Sequence, residues 1–145
     1  MNREYFENLR SIINQYNVAM GAFQAEAASK RETLPEDEYQ EWYARTVPPR
    51  TASGSDIMLL EYYDRLGENE EFVIGSDMGA YAVPRLIGAM RRAGLDSFVY
   101  AVTDRNCFDR LDDFCFEDCK LDKPVQVRQF RHGKMMETTG IRILL

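Results

Sequence analysis

The residues whose types and spacing could do chemistry begin with Gly75-Ser76-Asp77-Met78-Gly79. This run follows a short apolar stretch, Phe72-Val73-Ile74, and precedes residues with helical periodicity. A glycine-bearing turn from strand to helix leaves helix-start amides free to hold an anion. In open α/β sheets, ligands settle outside the carboxyl ends of the strands. Thr103-Asp104-Arg105-Asn106 holds the equivalent place after a second apolar run, Phe98 to Val102. The two loops can therefore face each other across a crevice. Gly75, Ser76, Asp77 and Gly79 would line one side, with Asp104, Arg105 and Asn106 on the other and Arg105 countering an anion. The plainer reading is a turn in which Asp77 caps the helix. The full glycine spacing of a dinucleotide site is missing, and so is a phosphate-loop lysine.

Cys107, Cys115, Cys119 and the only histidine, His132, invite a metal reading. Zinc sites pair cysteines at short spacing and repeat the pair elsewhere, which this chain does not do. Core packing is the expectation, with Cys115 on a buried face beside Phe114; neither a metal nor a cofactor is expected. Asp109, Asp112, Asp113, Glu117, Asp118 and Asp122 crowd one short helix. They read as a solvated face, or as a phosphate-backbone mimic that occupies a nucleic-acid-binding protein. Arg128, Arg131, Lys134 and Arg142 form a smaller basic set, expected to offset the acids. His132 falls in a predicted turn without an evident nucleophile, so no catalytic residue is assigned.

The chain has 145 residues, with 18 Lys and Arg against 24 Asp and Glu, a formal charge of −6. That balance argues against direct nucleic-acid binding, which needs clustered cations to release counterions. No apolar run is long enough to span a bilayer, and the first residues lack a signal-like core. The odd cysteine count suits reduced thiols and a cytoplasmic location. A chain this long can bury roughly 68–70% of its unfolded surface without staples.

Four kinds of element must position these groups. Leu9, Ile13, Tyr16, Met20, Phe23 and Ala27 step by four and three, a heptad seam that predicts one helix over residues 5–31. Thr33-Leu34-Pro35-Glu36 reads as a capping box opening a second helix, which stops at Pro48-Pro49. Together they form a helical hairpin over 1–49. After the small polar stretch 50–54, Ile57, Leu60 and Tyr63 mark a third helix closed by Gly67. Two apolar strands joined through Val83, Leu86, Ile87 and Met90 read as a parallel crossover, with Gly94 ending its helix. A short helix with Phe108, Leu111 and Cys115 inward follows. Val125 and Val127 lie on a third strand, His132-Gly133 makes a turn, and Ile141, Ile143 and Leu145 alternate on a fourth. The fold class is α+β. The helical hairpin and third helix pack on a small mixed sheet of βαβαββ order, all in one domain (1–49 helical, 55–145 α/β).

Residues 91–100 (Arg-Arg-Ala-Gly-Leu-Asp-Ser-Phe-Val-Tyr), Phe114, Cys119-Lys120-Leu121 and the ending Gly140 to Leu145 resemble a pattern in short uncharacterised proteins of gut bacteria, some carried on mobile elements. The likeness covers the C-terminal half and leaves the helical hairpin outside. Its motifs are structural, so the resemblance implies no functional residue.

The function expected first is a non-catalytic cytoplasmic interaction protein that self-associates. The helix seam, through Leu9, Ile13, Tyr16 and Met20, would form a homodimer, because the second helix is too short to cover all of it. A binder of small molecules or phosphates using loops 75–79 and 103–106, possibly an enzyme, is the second expectation. The acidic decoy is the third.

Overall fold

The structure, a computed structural model, describes residues 1–66, 71–102 and 107–145. Gly67 and the loop Thr103, Asp104, Arg105 and Asn106 lie outside the described residues. By its internal contacts the chain divides into two compact units, Glu7–Ser53, and Met1–Phe6 together with Gly54–Leu145.

In the first unit, the unbroken periodicity and the absence of proline give one helix, α1 (Arg3–Thr33), whose first residues belong to the other unit. A helix α2 (Glu36–Thr46) follows the turn at Leu34-Pro35. Phe23, Ala27 and Tyr39 are buried together, with Met20, Leu34, Trp42 and Val47 packed around them. The Phe23 ring stacks on Trp42 at 5.3 Å and meets Tyr43 edge-on at 5.0 Å. Offset and edge-to-face pairs of this kind add about 0.5–1.5 kcal/mol each beyond their burial.

The second unit is α+β. Helix α3 (Gly54–Asp64) leads into β1 (Val73–Ile74), α4 (Val83–Arg92), β2 (Ser97–Tyr100), α5 (Cys107–Phe116), β3 (Lys120–Arg131) and β4 (Lys134–Leu144). The strands lie in the order β1-β2-β4-β3, with β1 and β2 parallel and the other pairs antiparallel. Alternation along the strands divides the core into two faces. On one, Phe98 and Tyr100 each meet Phe114 of α5 edge-on at 5.2 Å. Val83, Leu86, Ile87 and Met90 of α4 are buried, as their spacing predicts. On the other, Val99, Ala101 and Val127 are buried against Val73 and Val125.

That second face is covered by the sheet's own hairpin. His132 and Gly133, at φ 50° and 76°, form a two-residue turn of the kind that matches strand twist. β4 pairs with β2 only from Ile141 to Leu144, while β3 and β4 stay paired out to Arg131 and Lys134. Gly140 lies where the hairpin leaves β2. A Cβ there would stand 2.5 Å from Val99 Cγ1 and 2.9 Å from Ala101 Cβ, so only glycine allows the hairpin to lie this close. Elsewhere in the unit, Phe6 stacks on Tyr63 at 4.2 Å, and Asp56 accepts from the Tyr5 hydroxyl (3.0 Å) and Arg92 (3.1 Å). Burial and that carboxylate push the Tyr5 phenol up. Among the described residues no helix is long and apolar enough to cross a membrane.

Several expectations are corrected. The capping box does not form: Thr33 is the last residue of α1, and its hydroxyl donates back to the Ser29 and Lys30 carbonyls at 3.1 and 3.4 Å. Helix α2 begins after Pro35 without a side-chain cap. The inner face of α5 is Leu111 and Phe114, not Phe108, Leu111 and Cys115. Both sets satisfy helical spacing within ten residues, and the Phe98–Phe114–Tyr100 ring contacts decide between them. Cys115 is consequently exposed, and the buried thiol is Cys119. The basic set meets the acidic set, among the described residues, through Arg142 and Asp122. Arg142 pairs with Glu71 (2.8 Å) and with Asp122 (3.5 Å), which lies on β3. Arg131 is committed to main-chain carbonyls, and Arg110, within α5 itself, pairs with Asp113.

Candidate functional site

Among the described residues, no strand pairs with the outer side of β1. Val99 N–H donates to the Phe72 carbonyl (2.7 Å) and Ala101 N–H to the Ile74 carbonyl (2.9 Å). In a parallel pair the residue between those two carbonyls turns its own N–H and C=O the other way. Val73 therefore turns both groups away from β2, toward a concave groove that runs beside β1.

Three segments build this groove. The last turn of α3 and the residues after it contribute Tyr62, Arg65 and Leu66; β1 and its flanks contribute Glu71, Val73, Gly75 and Ser76; the hairpin tip contributes Arg128 to Arg131 and Met135. Its volume is about 300 Å³, at the small end of the roughly 300–1,000 Å³ found for ligand sites.

Arg131 holds the hairpin tip in place. Its Nη2 donates to the Gly75 carbonyl at 2.6 Å and to the Ala101 carbonyl at 3.1 Å, and its Nε donates to Gln129 Oε1 at 2.8 Å. The guanidinium thus closes off the ends of both parallel strands. A Cβ on Gly75 would stand 2.7 Å from Gln129 Oε1, so the glycine admits the Gln129 amide against the strand end.

The charge of the lining is positive. Among the described lining residues, Arg65, Arg128 and Arg131 stand with one carboxylate, Glu71, which Arg142 neutralises. The Arg128–Glu137 pair is long, at 3.8 Å, with both side chains largely exposed, and it is not the only interaction Arg128 makes. On the lip, Phe130 and Met135 are cross-strand partners, 71% and 59% exposed. The groove therefore offers guanidinium and phenol donors, the outer side of β1 and an apolar lip. Ser76 is the lining hydroxyl nearest to a nucleophile in type, and His132 is exposed in the hairpin turn. The described lining residues can bind and orient a ligand, and they pair no nucleophile with a base.

The predicted site residues separate. Gly75 and Ser76 line the groove. Asp77 is turned to the helix-covered side, where its Oδ1 accepts from Met78 N–H (2.8 Å), the Tyr100 hydroxyl (3.2 Å) and Arg110 Nε (3.2 Å). Asp77 caps no helix: Gly79 precedes a 3-10 turn, Ala80–Ala82, and α4 starts after it without a side-chain cap. Asp104, Arg105 and Asn106 lie outside the described residues. On α1, Leu9 is buried within the single chain, Met20 packs on the Phe23 cluster, and Ile13 and Tyr16 are half-buried. Among the described residues no group of three or more His, Cys, Asp or Glu is placed to hold a metal ion.

Sequence reasoning missed Tyr62, Arg65, Phe130 and Met135, and named Arg128 only as part of the basic set. One signal was present: Phe130 falls on the outward phase of a strand whose inward phase carries Val125 and Val127. An aromatic in the solvent phase of an amphipathic strand marks a contact surface. Comparison with family models, with curated proteins and with solved structures returned no match to this chain, so the likeness to short proteins of gut bacteria rests on its quoted residues alone.

Proposed function

We propose that the protein is a non-catalytic binding protein whose α/β unit takes an acidic ligand in the groove beside β1. The observation that carries this reading is the convergence of Arg65, Arg128 and Tyr62, from two separate segments, on one concave strand edge. The chain as a whole is acidic, and recognition depends on the local field, which clefts of one sign concentrate. The odd number of cysteines, all free, fits work in a reducing cytoplasm.

Differential scanning fluorimetry with acidic compounds, from dicarboxylates and inorganic phosphate to glutamate-rich peptides, tests the reading. A ligand at one hundred times its Kd adds about 2.7 kcal/mol of stability and raises the melting temperature visibly. Arg65→Glu with Arg128→Glu should abolish the shift while leaving the unliganded melting temperature nearly unchanged, because both side chains are exposed. A flat response across all these compounds overturns the proposal.

A further inference from the structure

We infer that the outer part of the β3–β4 hairpin is a hinged strap, latched over the sheet by Arg131. Both strands are interrupted at one level. Between the pairs Leu121–Ile143 and Pro124–Ile141, β3 carries one residue more than β4, as at a bulge. Pro124 brings no N–H to the ladder. The next pair is Val125 with Gly140, which places no side chain at the bend. On the near side of this line β4 is held between two strands, since residues 141–144 also pair with β2. On the far side, residues 125–131 and 134–140 pair, among the described residues, only with each other. A two-stranded ribbon is marginal in water unless it packs on something else.

The seat of this arm is slight. Val125 and Val127 rest on Val73, Val99 and Ala101, all small aliphatic side chains. The other face of the sheet is anchored by a full ring, Phe114 against Phe98 and Tyr100. Phe130, Met135 and Met136 of the arm are exposed and add little to the seat. The remaining hold is polar. Arg131 donates to the carbonyls of Gly75 and Ala101, the first residue past each parallel strand. Gln129 Nε2 adds a 3.5 Å contact to the Ala101 carbonyl. These acceptors are uncharged and the Arg131 side chain is half-buried, so water can replace each bond at small net cost. A latch of this kind opens reversibly. The arm also carries Arg128 to Arg131 and Met135 of the groove wall, so opening dismantles the groove and closing builds it. On the reading above, ligand affinity is then scaled by the latched fraction. The hinge itself does not depend on what the groove binds.

The test is methyl relaxation dispersion on the full chain without ligand, with valine, leucine and isoleucine methyls labelled. It compares the wild type with Arg131→Met, which keeps an apolar stem and removes the donors. Val73, Val99, Val125 and Val127 are expected to share one exchange process on the microsecond-to-millisecond scale. Leu86 and Ile87 of α4, and Ile143, buried at the middle of the sheet, should stay flat. Arg131→Met should raise the open population about tenfold or more, because at least two hydrogen bonds are lost together. Exchange confined to these valines and larger in Arg131→Met supports the strap. Flat valine profiles in both proteins overturn it. Exchange of equal size at Leu86 and Ile87 also overturns it, since the whole unit is then opening. Where Arg131→Met does not fold, Gln129→Ala is read in the same way, with a smaller rise expected. No ligand enters the experiment, so its failure leaves the acidic-ligand reading to its own test.

Discussion

The groove beside β1 and the outer face of α5 both expose aromatic rings, in opposite settings. On α5, Phe108 and Phe116 are 74% and 85% exposed, beside the exposed Asp109, Asp112 and Cys115. In the groove, Phe130 and Met135 edge a concavity lined also by guanidinium groups and by β1. The difference shows that exposure alone does not make a site. Helix α5 carries aromatic side chains on two stripes, and only Leu111 and Phe114 can face Phe98 and Tyr100; the remaining rings are left in solvent. The groove instead brings together donors and apolar surface from segments far apart in the chain.

The largest effect that would sharpen this contrast is at Phe114. Phe114→Ala removes a fully buried ring that touches both Phe98 and Tyr100 and should cost about 3–5 kcal/mol, read by urea denaturation of the α/β unit. A cost below about 1 kcal/mol would mean that α5 is not anchored by this ring.

Next comes the placement of the hairpin. Gly140→Val would push against Val99, Ala101 and the Tyr100 carbonyl and should destabilise by about 1–3 kcal/mol. It should also weaken ligand binding, because the hairpin carries one wall of the groove. Wild-type affinity in a folded Gly140→Val protein would break the link between the bend and the site.

A pH effect follows from Cys119. Burial pushes its thiol up from an ordinary value of 9.0, with Arg91 opposing. The folded state therefore holds the proton more tightly than the unfolded state. The resulting stability is complete below the unfolded value and is lost as pH rises through the folded one. Melting temperatures between pH 8 and pH 11 should fall, and Cys119→Ala should flatten that part of the fall. An unchanged slope in Cys119→Ala would assign it to other groups, Tyr5 among them.

The smallest effect is expected on α5's outer face. Phe116→Ser should change stability by less than about 0.5 kcal/mol and leave ligand affinity as it was. A large loss of binding in this variant would make the outer face of α5 the site and the groove incidental.

Much of the architecture was legible in the sequence because it rests on local periodicity. The long α1, the crossover through α4 and the His132-Gly133 hairpin each follow from patterns a few residues long. Thr33 misled because its capping-box pattern straddles the end of one helix and the start of the next, and its hydroxyl found carbonyls one turn back. Gly75 and Ser76 could be named because ligands gather at strand ends. Tyr62 and Arg65 could not, since only the fold carries the end of α3 to the hairpin tip. Asp77 looked like part of the same site, and the reach of Arg110 from α5 drew it to the other side.

The most direct test of the central claim is a map of amide chemical shifts on titrating a glutamate-rich peptide or a dicarboxylate into isotope-labelled protein. The account predicts progressive shifts at Arg65, Leu66, Val73, Gly75, Ser76 and Arg128 to Arg131, with α5 silent. Shifts centred on Phe108, Asp112 and Phe116, or spread without focus over both units, would contradict it.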